Sequence, residues 1–237
     1  MNEQELTRFM REKDGALSLA FPALMRKVYV WMSLALIITG ITAYGVASSP
    51  GLIMAFYTNQ LLMWGVVIVE FALVFALSSA LNRLSLSVAT LLFVVYSVLN
   101  GVMFSSIFLV YTMSSVANVF FITAGTFAAM AAYGYFTKSN LTTLGKYLFM
   151  ALIGLVIATV VNIFVGSSML SLVISYAGVL IFVGLTAYDS QKIKQMLAQQ
   201  VDADETAQKV ALFGALTLYL DFINLFLYLL RLLGNRR

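Results

Sequence analysis

Apolar runs of about 20 residues, separated by short polar stretches, recur seven times along this chain. A helix of about 20 residues is what the hydrocarbon core of a bilayer requires. The runs predict helical spans over Val28–Val46, Leu61–Leu81, Leu86–Tyr111, Val116–Phe136, Tyr147–Val165, Leu170–Tyr188 and Val210–Leu230. The intervening stretches are short and carry no low-complexity tract or clear internal repeat. The pattern therefore predicts an all-α integral membrane protein, a single seven-transmembrane-helix bundle over residues 28–237, preceded by a cytosolic N-terminal leader over residues 1–27.

Polar positions inside the runs are patterned too. In span seven Gly214, Thr217, Asp221, Asn224, Tyr228 and Arg231 recur every three or four residues, which places them on one helical face. Leu220, Phe222, Leu227 and Leu230 lie off that face. Span six carries a comparable stripe of Ser171, Ser175, Gly178, Thr186 and Asp189. Small residues on both stripes would let the two helices approach closely.

Composition agrees with the bilayer reading. Of 237 residues 62% are hydrophobic and 10% charged, and the mean hydropathy is +0.95. A soluble domain is about half apolar and a quarter charged. There is no cysteine and no histidine. This excludes disulfides, thiol catalysis, zinc on Cys/His and haem on either residue. It also removes the usual titrating group near neutral pH, so pH sensing must rest on carboxylates. The N-terminal stretch has mixed charge and lacks the short apolar core and small-residue cleavage site of a signal peptide.

The net charge of +4 comes from cations at the ends of the apolar runs, not from a basic groove with interleaved aromatics, so no nucleic-acid partner is expected. Arg8, Arg11, Lys13, Arg26, Lys27, Arg83, Lys138, Lys146, Lys192, Lys194 and Lys209 all fall on one side of the predicted bundle. The opposing loops, SSPGLIMAFYTNQ, TMSS and GSSM, carry none. Cations gather on the cytosolic side, which predicts a cytosolic N-terminus. Arg231, Arg236 and Arg237 stand at the far end of span seven and leave open whether it crosses fully or enters and returns.

Three acids lie within the runs: Glu70 in span two, Asp189 near the cytosolic end of span six and Asp221 in the middle of span seven. A charge at the bilayer centre costs roughly 2.5–3.5 kcal/mol on insertion scales, and such residues usually face the bundle interior along an ion or substrate route. Asp189 and Asp221, brought together, would titrate as a coupled unit. Their oxygens, with carbonyls and water, could also hold Ca2+, which takes several oxygen ligands. A purely structural alternative pairs Asp189 with Lys192 and Asp221 with Arg83. For the two aspartates to meet, span seven must begin well before its apolar run, from about Asp204. The neighbouring acids Asp202, Asp204 and Glu205 do not have the spacing of an EF-hand loop and read as a solvated connection.

LTAYDSQKIKQM and LTLYLDFINLFLYLLRLLG resemble the paired signature segments of the Bax inhibitor-1 family, the transmembrane Bax inhibitor motif proteins. FMREKDGALSLAFPALMRKVYVWM, YSVLNGVMFSSIFLVYT and YGYFTKSNLTTLGKYLF agree, and the likeness is to bacterial members. The resemblance implies seven helices with the last one central, wrapped by the other six. It further implies a pH-sensitive calcium leak that needs no cofactor, governed by a di-aspartyl pair corresponding to Asp189 and Asp221, with Thr217, Asn224 and Tyr228 on the same stripe. Glu70 matches an acid of the family's second span. An arginine at the cytosolic end of that span is the family's latch, a place where this chain has Arg83 alone. Some bacterial members restrain a membrane-bound ATP-dependent protease, which makes such a protease an alternative partner, with the charged leader as its handle. A bacterial inner membrane is the expected location.

No enzyme is expected. Intramembrane aspartyl proteases also place aspartates in successive spans, but they carry GxGD at the second aspartate and a proline motif in a later span. This chain reads LYLD, and its only prolines are Pro22 and Pro50. Rhomboid-type serine proteolysis needs the histidine that is missing.

Overall fold

The structure, a computed structural model, describes residues 3–80, 83–200 and 202–237, with side chains from residue 20 on. Nine helices account for nearly all of the described chain: α1 (Glu3–Ala47), α2 (Pro50–Thr58), α3 (Gln60–Ser79), α4 (Leu86–Phe104), α5 (Ile107–Val110), α6 (Met113–Phe136), α7 (Thr142–Val165), α8 (Ser168–Ala198) and α9 (Glu205–Leu233). Seven segments are long and apolar enough to cross a membrane: Ala20–Ala47, Gln60–Ser79, Leu86–Val110, Met113–Phe136, Thr142–Val165, Ser168–Ala198 and Glu205–Leu233. Only helices and closed barrels satisfy their own backbone in hydrocarbon, and the chain takes the helical solution throughout.

The helix ends are written in the sequence. Asn59, Ser85, Thr112, Ser167 and Asp204 each accept a hydrogen bond from a backbone N–H in the first turn of the helix that follows. Side-chain oxygens at these positions satisfy donors a helix start leaves free. Helix α7 stops at Gly166, whose φ of 66° suits a residue without Cβ. The acids between the last two spans act locally. Asp204 caps α9, and Glu205 accepts from the Leu86 N–H at 3.0 Å while pairing with Lys209 at 3.0 Å.

Helix α9 is the core of the bundle. Its residues Ala215, Leu218, Tyr219 and Leu225 are fully enclosed, and its chief neighbours are α8, α1, α6 and α4. Helix α3 packs mainly on α4, and α7 on α8, so spans two and five form an outer layer. The last helix is thus central as expected, but four spans wrap it instead of six. Spans two and five are nearly apolar all round and bury little, because lipid hydrocarbon serves their outer faces as well as protein would.

Three further features depart from the sequence reading. The loop SSPGLIMAFYTNQ contains helix α2, begun by Pro50 at its first position, where its fixed φ suits a helix start. Helix α1 runs without a break past residue 28, so no interruption marks the boundary drawn between leader and bundle. Helix α8 continues ten residues beyond Tyr188 to Ala198, and Asp189 therefore lies inside a helix and not near its end.

The course of α9 is fixed at both ends. Glu205 meets the start of α4. At the other end the backbone pairs Thr112 N–H with Asn235 C=O at 3.2 Å and Arg237 N–H with Val110 C=O at 2.9 Å, and Asn235 N–H donates to Ser115 Oγ at 2.9 Å. Helix α9 therefore traverses the whole bundle and does not turn back.

Candidate functional site

Helices α8 and α9 lie against each other along the two stripes of small and polar residues. Gly214 faces Ile193, and Gly178 lies against the Tyr228 ring, so a methyl group at either position would fall 2.6–2.9 Å from those side chains. These two contacts set the register and put Asp221 within one helical turn of Asp189. The carboxyl groups of Asp189 and Asp221 approach each other across the α8–α9 contact. An ionised carboxylate has acceptors only, so a hydrogen bond between the two would require a proton on one of them.

Asp221 is 4% exposed, and its Oδ2 has no hydrogen-bond partner. Asp189 is half-buried, and Lys192, one turn further along α8, is its nearest positive charge. The site is thus a close pair of acids in the interior of an apolar bundle, with one carboxyl oxygen free of hydrogen bonds. Calcium takes six to eight oxygen ligands. Among the described residues no group of three or more acidic side chains forms, so an ion at the pair would complete its shell largely with water.

The rest of the stripe does different work. Thr217 Oγ1 donates to the Phe213 carbonyl at 3.0 Å, and Asn224 Nδ2 to the Leu220 carbonyl at 2.8 Å. Both polar groups are thereby satisfied within α9 itself. The Tyr228 ring stacks on Phe182 at 5.8 Å, with the Arg231 guanidinium over it at 5.4 Å.

Two expected members stand away from the pair. Arg83 is exposed in the turn between α3 and α4, and no hydrogen bond or ion pair among the described residues joins it to either aspartate. A latch through Arg83 is not formed in this arrangement, nor is the alternative Asp221–Arg83 salt bridge, because α3 packs on α4 and keeps its end at the periphery. Glu70, half-buried on α3, faces Tyr96 and Tyr219 instead of the aspartates, and its Oε1 is buried without a partner.

Glu70 borders a polar cluster that the stripes did not reveal. Tyr219, fully enclosed on α9, hydrogen-bonds Thr39 of α1 at 2.8 Å, and Thr39 Oγ1 donates to the Ser97 carbonyl of α4 at 2.9 Å. Three spans are thus joined through one hydroxyl. Ser190, next to Asp189, donates to the Ala131 carbonyl of α6 at 2.9 Å, and Gln191 bonds both the Leu141 N–H and the Ser139 carbonyl. Polar residues isolated in apolar runs, such as Thr39 and Ser97, were the available signal.

A seven-span helical bundle, its last helix central and meeting the sixth at an acid pair, defines an all-α polytopic membrane protein. The chain belongs to the Bax inhibitor-1 family: the family described as "Inhibitor of apoptosis-promoting Bax1" matches residues 22–237. Among its relatives is "Inner membrane protein YbhL" of Escherichia coli, 49% identical over 215 residues that cover 90% of this chain and 92% of that protein. An uncharacterized protein of Borreliella burgdorferi is 46% identical over 213 residues, covering 90% and 92%. An uncharacterized membrane protein of Streptococcus pyogenes is 41% identical over 184 residues, covering 78% and 79%. None of these names is that of an enzyme.

Proposed function

We propose that the protein is a pH-sensitive cation leak, with calcium as its ion, in a bacterial inner membrane and with its N-terminus in the cytosol. The close approach of Asp189 and Asp221 in the bundle interior carries this reading. A buried acid pair between two closely packed helices has two states, one with a proton shared between the carboxyls and one without it. With its shared proton the pair ties α8 to α9. Without it, two like charges about 4 Å apart repel by roughly 4 kcal/mol at an effective dielectric of about 20. That is enough to part the contact and to offer cations a negatively charged site. Flux should therefore rise with pH.

The test is calcium flux into liposomes holding the purified protein, from pH 6 to 8, for wild type and Asp221→Asn. The amide of the variant donates to Asp189 whatever the pH, so its flux should stay low and flat. A flux that falls with rising pH in wild type would assign conduction to the protonated pair and overturn the stated direction. Equal pH profiles in both proteins would remove the pair from gating, and no flux above empty liposomes would sink the leak itself.

A further inference from the structure

Spans one and four both pack on α9 but do not close on each other. Between them lies a cavity of about 1160 Å3, floored by Phe222, Ile223 and Phe226 of α9. On α1 its lining runs from Pro22 to Ala43, roughly 32 Å at 1.5 Å per residue, about the thickness of the hydrocarbon core. Its mouth opens sideways between Ile37 and Ile41 on one lip and Phe121 and Phe136 on the other, all well exposed. In a bilayer that mouth faces acyl chains.

The two ends of the groove differ. Among the described residues Arg26, exposed at one end, is the only charged residue lining it, and it enters no ion pair with any of them. Beside it Tyr135 holds Lys194, whose Nζ donates to the Tyr135 carbonyl at 2.7 Å and lies 4.9 Å over the ring. The Phe21 and Tyr135 rings stack at 6.5 Å and bridge α1 to α6 there, which leaves the lateral mouth as the way in. The opposite end, at Phe104 and Met113, carries no charge. The cavity is thus an apolar slot with one cationic end at interfacial depth.

We propose that this groove is a binding site for an anionic phospholipid of the leaflet at the basic end of the bundle. An acyl chain lies between spans one and four on the α9 phenylalanines. The phosphate sits on Arg26, with Lys194 adding to the local positive charge. Arginine is suited to phosphate by its planar fork of donors, and an anionic headgroup supplies a partner that none of the described residues gives Arg26.

Native mass spectrometry of the purified protein, equilibrated with equal amounts of phosphatidylglycerol and phosphatidylcholine, reads this directly. Wild type should retain lipid and favour phosphatidylglycerol. Ala128→Trp, which fills the groove from α6, should abolish retention, whereas Ile163→Trp on the exposed face of α7 should leave it unchanged. Arg26→Gln should keep a bound lipid but lose about fivefold of the anionic preference, as expected for one cation near a charged headgroup. Co-elution with wild type in size exclusion checks that each variant is folded. Equal retention in Ala128→Trp and wild type would overturn the site, and an unchanged preference in Arg26→Gln would overturn the headgroup assignment. A change of oligomeric state in Ala128→Trp without loss of lipid would give the groove to a second copy of the chain instead.

Discussion

Helix α6 contains two glycines whose replacement by alanine should have opposite effects. At Gly134 an added methyl would land on the backbone of α8, 2.8–2.9 Å from the carbonyl carbon and Cα of Ala187 and closer still to the carbonyl oxygen. At Gly125 it would meet nothing within 4 Å. Alanine in a helix is favoured over glycine by about 0.8–1 kcal/mol, and at Gly125 that gain stands alone. Overpacking typically costs about 1–3 kcal/mol, and at Gly134 the obstacle is helix backbone, which cannot rotate aside. Parting α6 from α8 would also stretch the Ser190–Ala131 hydrogen bond of 2.9 Å, and such interhelical bonds average about 0.6 kcal/mol in membranes. The clash therefore outweighs propensity. Gly134→Ala should destabilise by about 2 kcal/mol, and Gly125→Ala should stabilise by up to about 1 kcal/mol. Reversible unfolding in mixed SDS micelles, followed by the fluorescence of Trp31 and Trp64, measures both. Equal or greater stability of Gly134→Ala relative to Gly125→Ala would show that α6 and α8 do not meet where the structure places them. Ala187 is two residues from Asp189, so the destabilising variant should also disturb the acid pair and, if the proposed leak operates, alter its flux.

Tyr219→Phe removes the hydroxyl bonded to Thr39 and leaves the Thr39–Ser97 bond intact, so a loss of about 0.6–1.7 kcal/mol is expected in the same unfolding assay. Combined with Thr39→Val it should cost less than the sum of the single changes, and strict additivity would mean that the two hydroxyls are not coupled. Deleting residues 235–237 removes the ties from Asn235 to Thr112 and Ser115 and from Arg237 to Val110. Amide exchange at Val110–Thr112 should then quicken by about tenfold while the α8–α9 contact keeps its protection, and uniform quickening would refute a locally acting clasp.

Much of this architecture is legible in the residue order, for physical reasons. Lipid punishes unpaired backbone and long polar stretches alike, so seven apolar runs could only be seven spans. The boundaries were harder. Helix α8 outlasts its apolar run because Lys192 and Lys194 bear long stems that carry charge away from the axis. Lys194 reaches Tyr135 of α6 in this way. Helix α9 begins at Glu205 because Asp204 is a good cap, although the first apolar residues come later. The Asp189–Asp221 contact follows from matching small-residue stripes, and those are visible at spacings of three and four. The place of Glu70 and Arg83 was not legible. Both depend on which neighbour span two chooses, and an evenly apolar helix carries no stripe to record that choice. The groove between spans one and four escaped notice for a related reason: a void is a property of two surfaces that fail to meet, and each surface alone reads as ordinary lipid-facing helix.

The central position of α9 also bears on how the molecule is made. Chains are synthesised from the N-terminus onward, so the helix that α1, α4, α6 and α8 pack around leaves the ribosome after all four of them. Until then those four helices lack their common partner. Thr39 has no tyrosine to bond, and Asp189 waits in a half-built interior without the carboxyl of Asp221 beside it. Biogenesis therefore turns on a late step, in which insertion of one helix completes the core and the acid pair together. A chain that stops short of Glu205 could insert six spans and still have nothing to fold around.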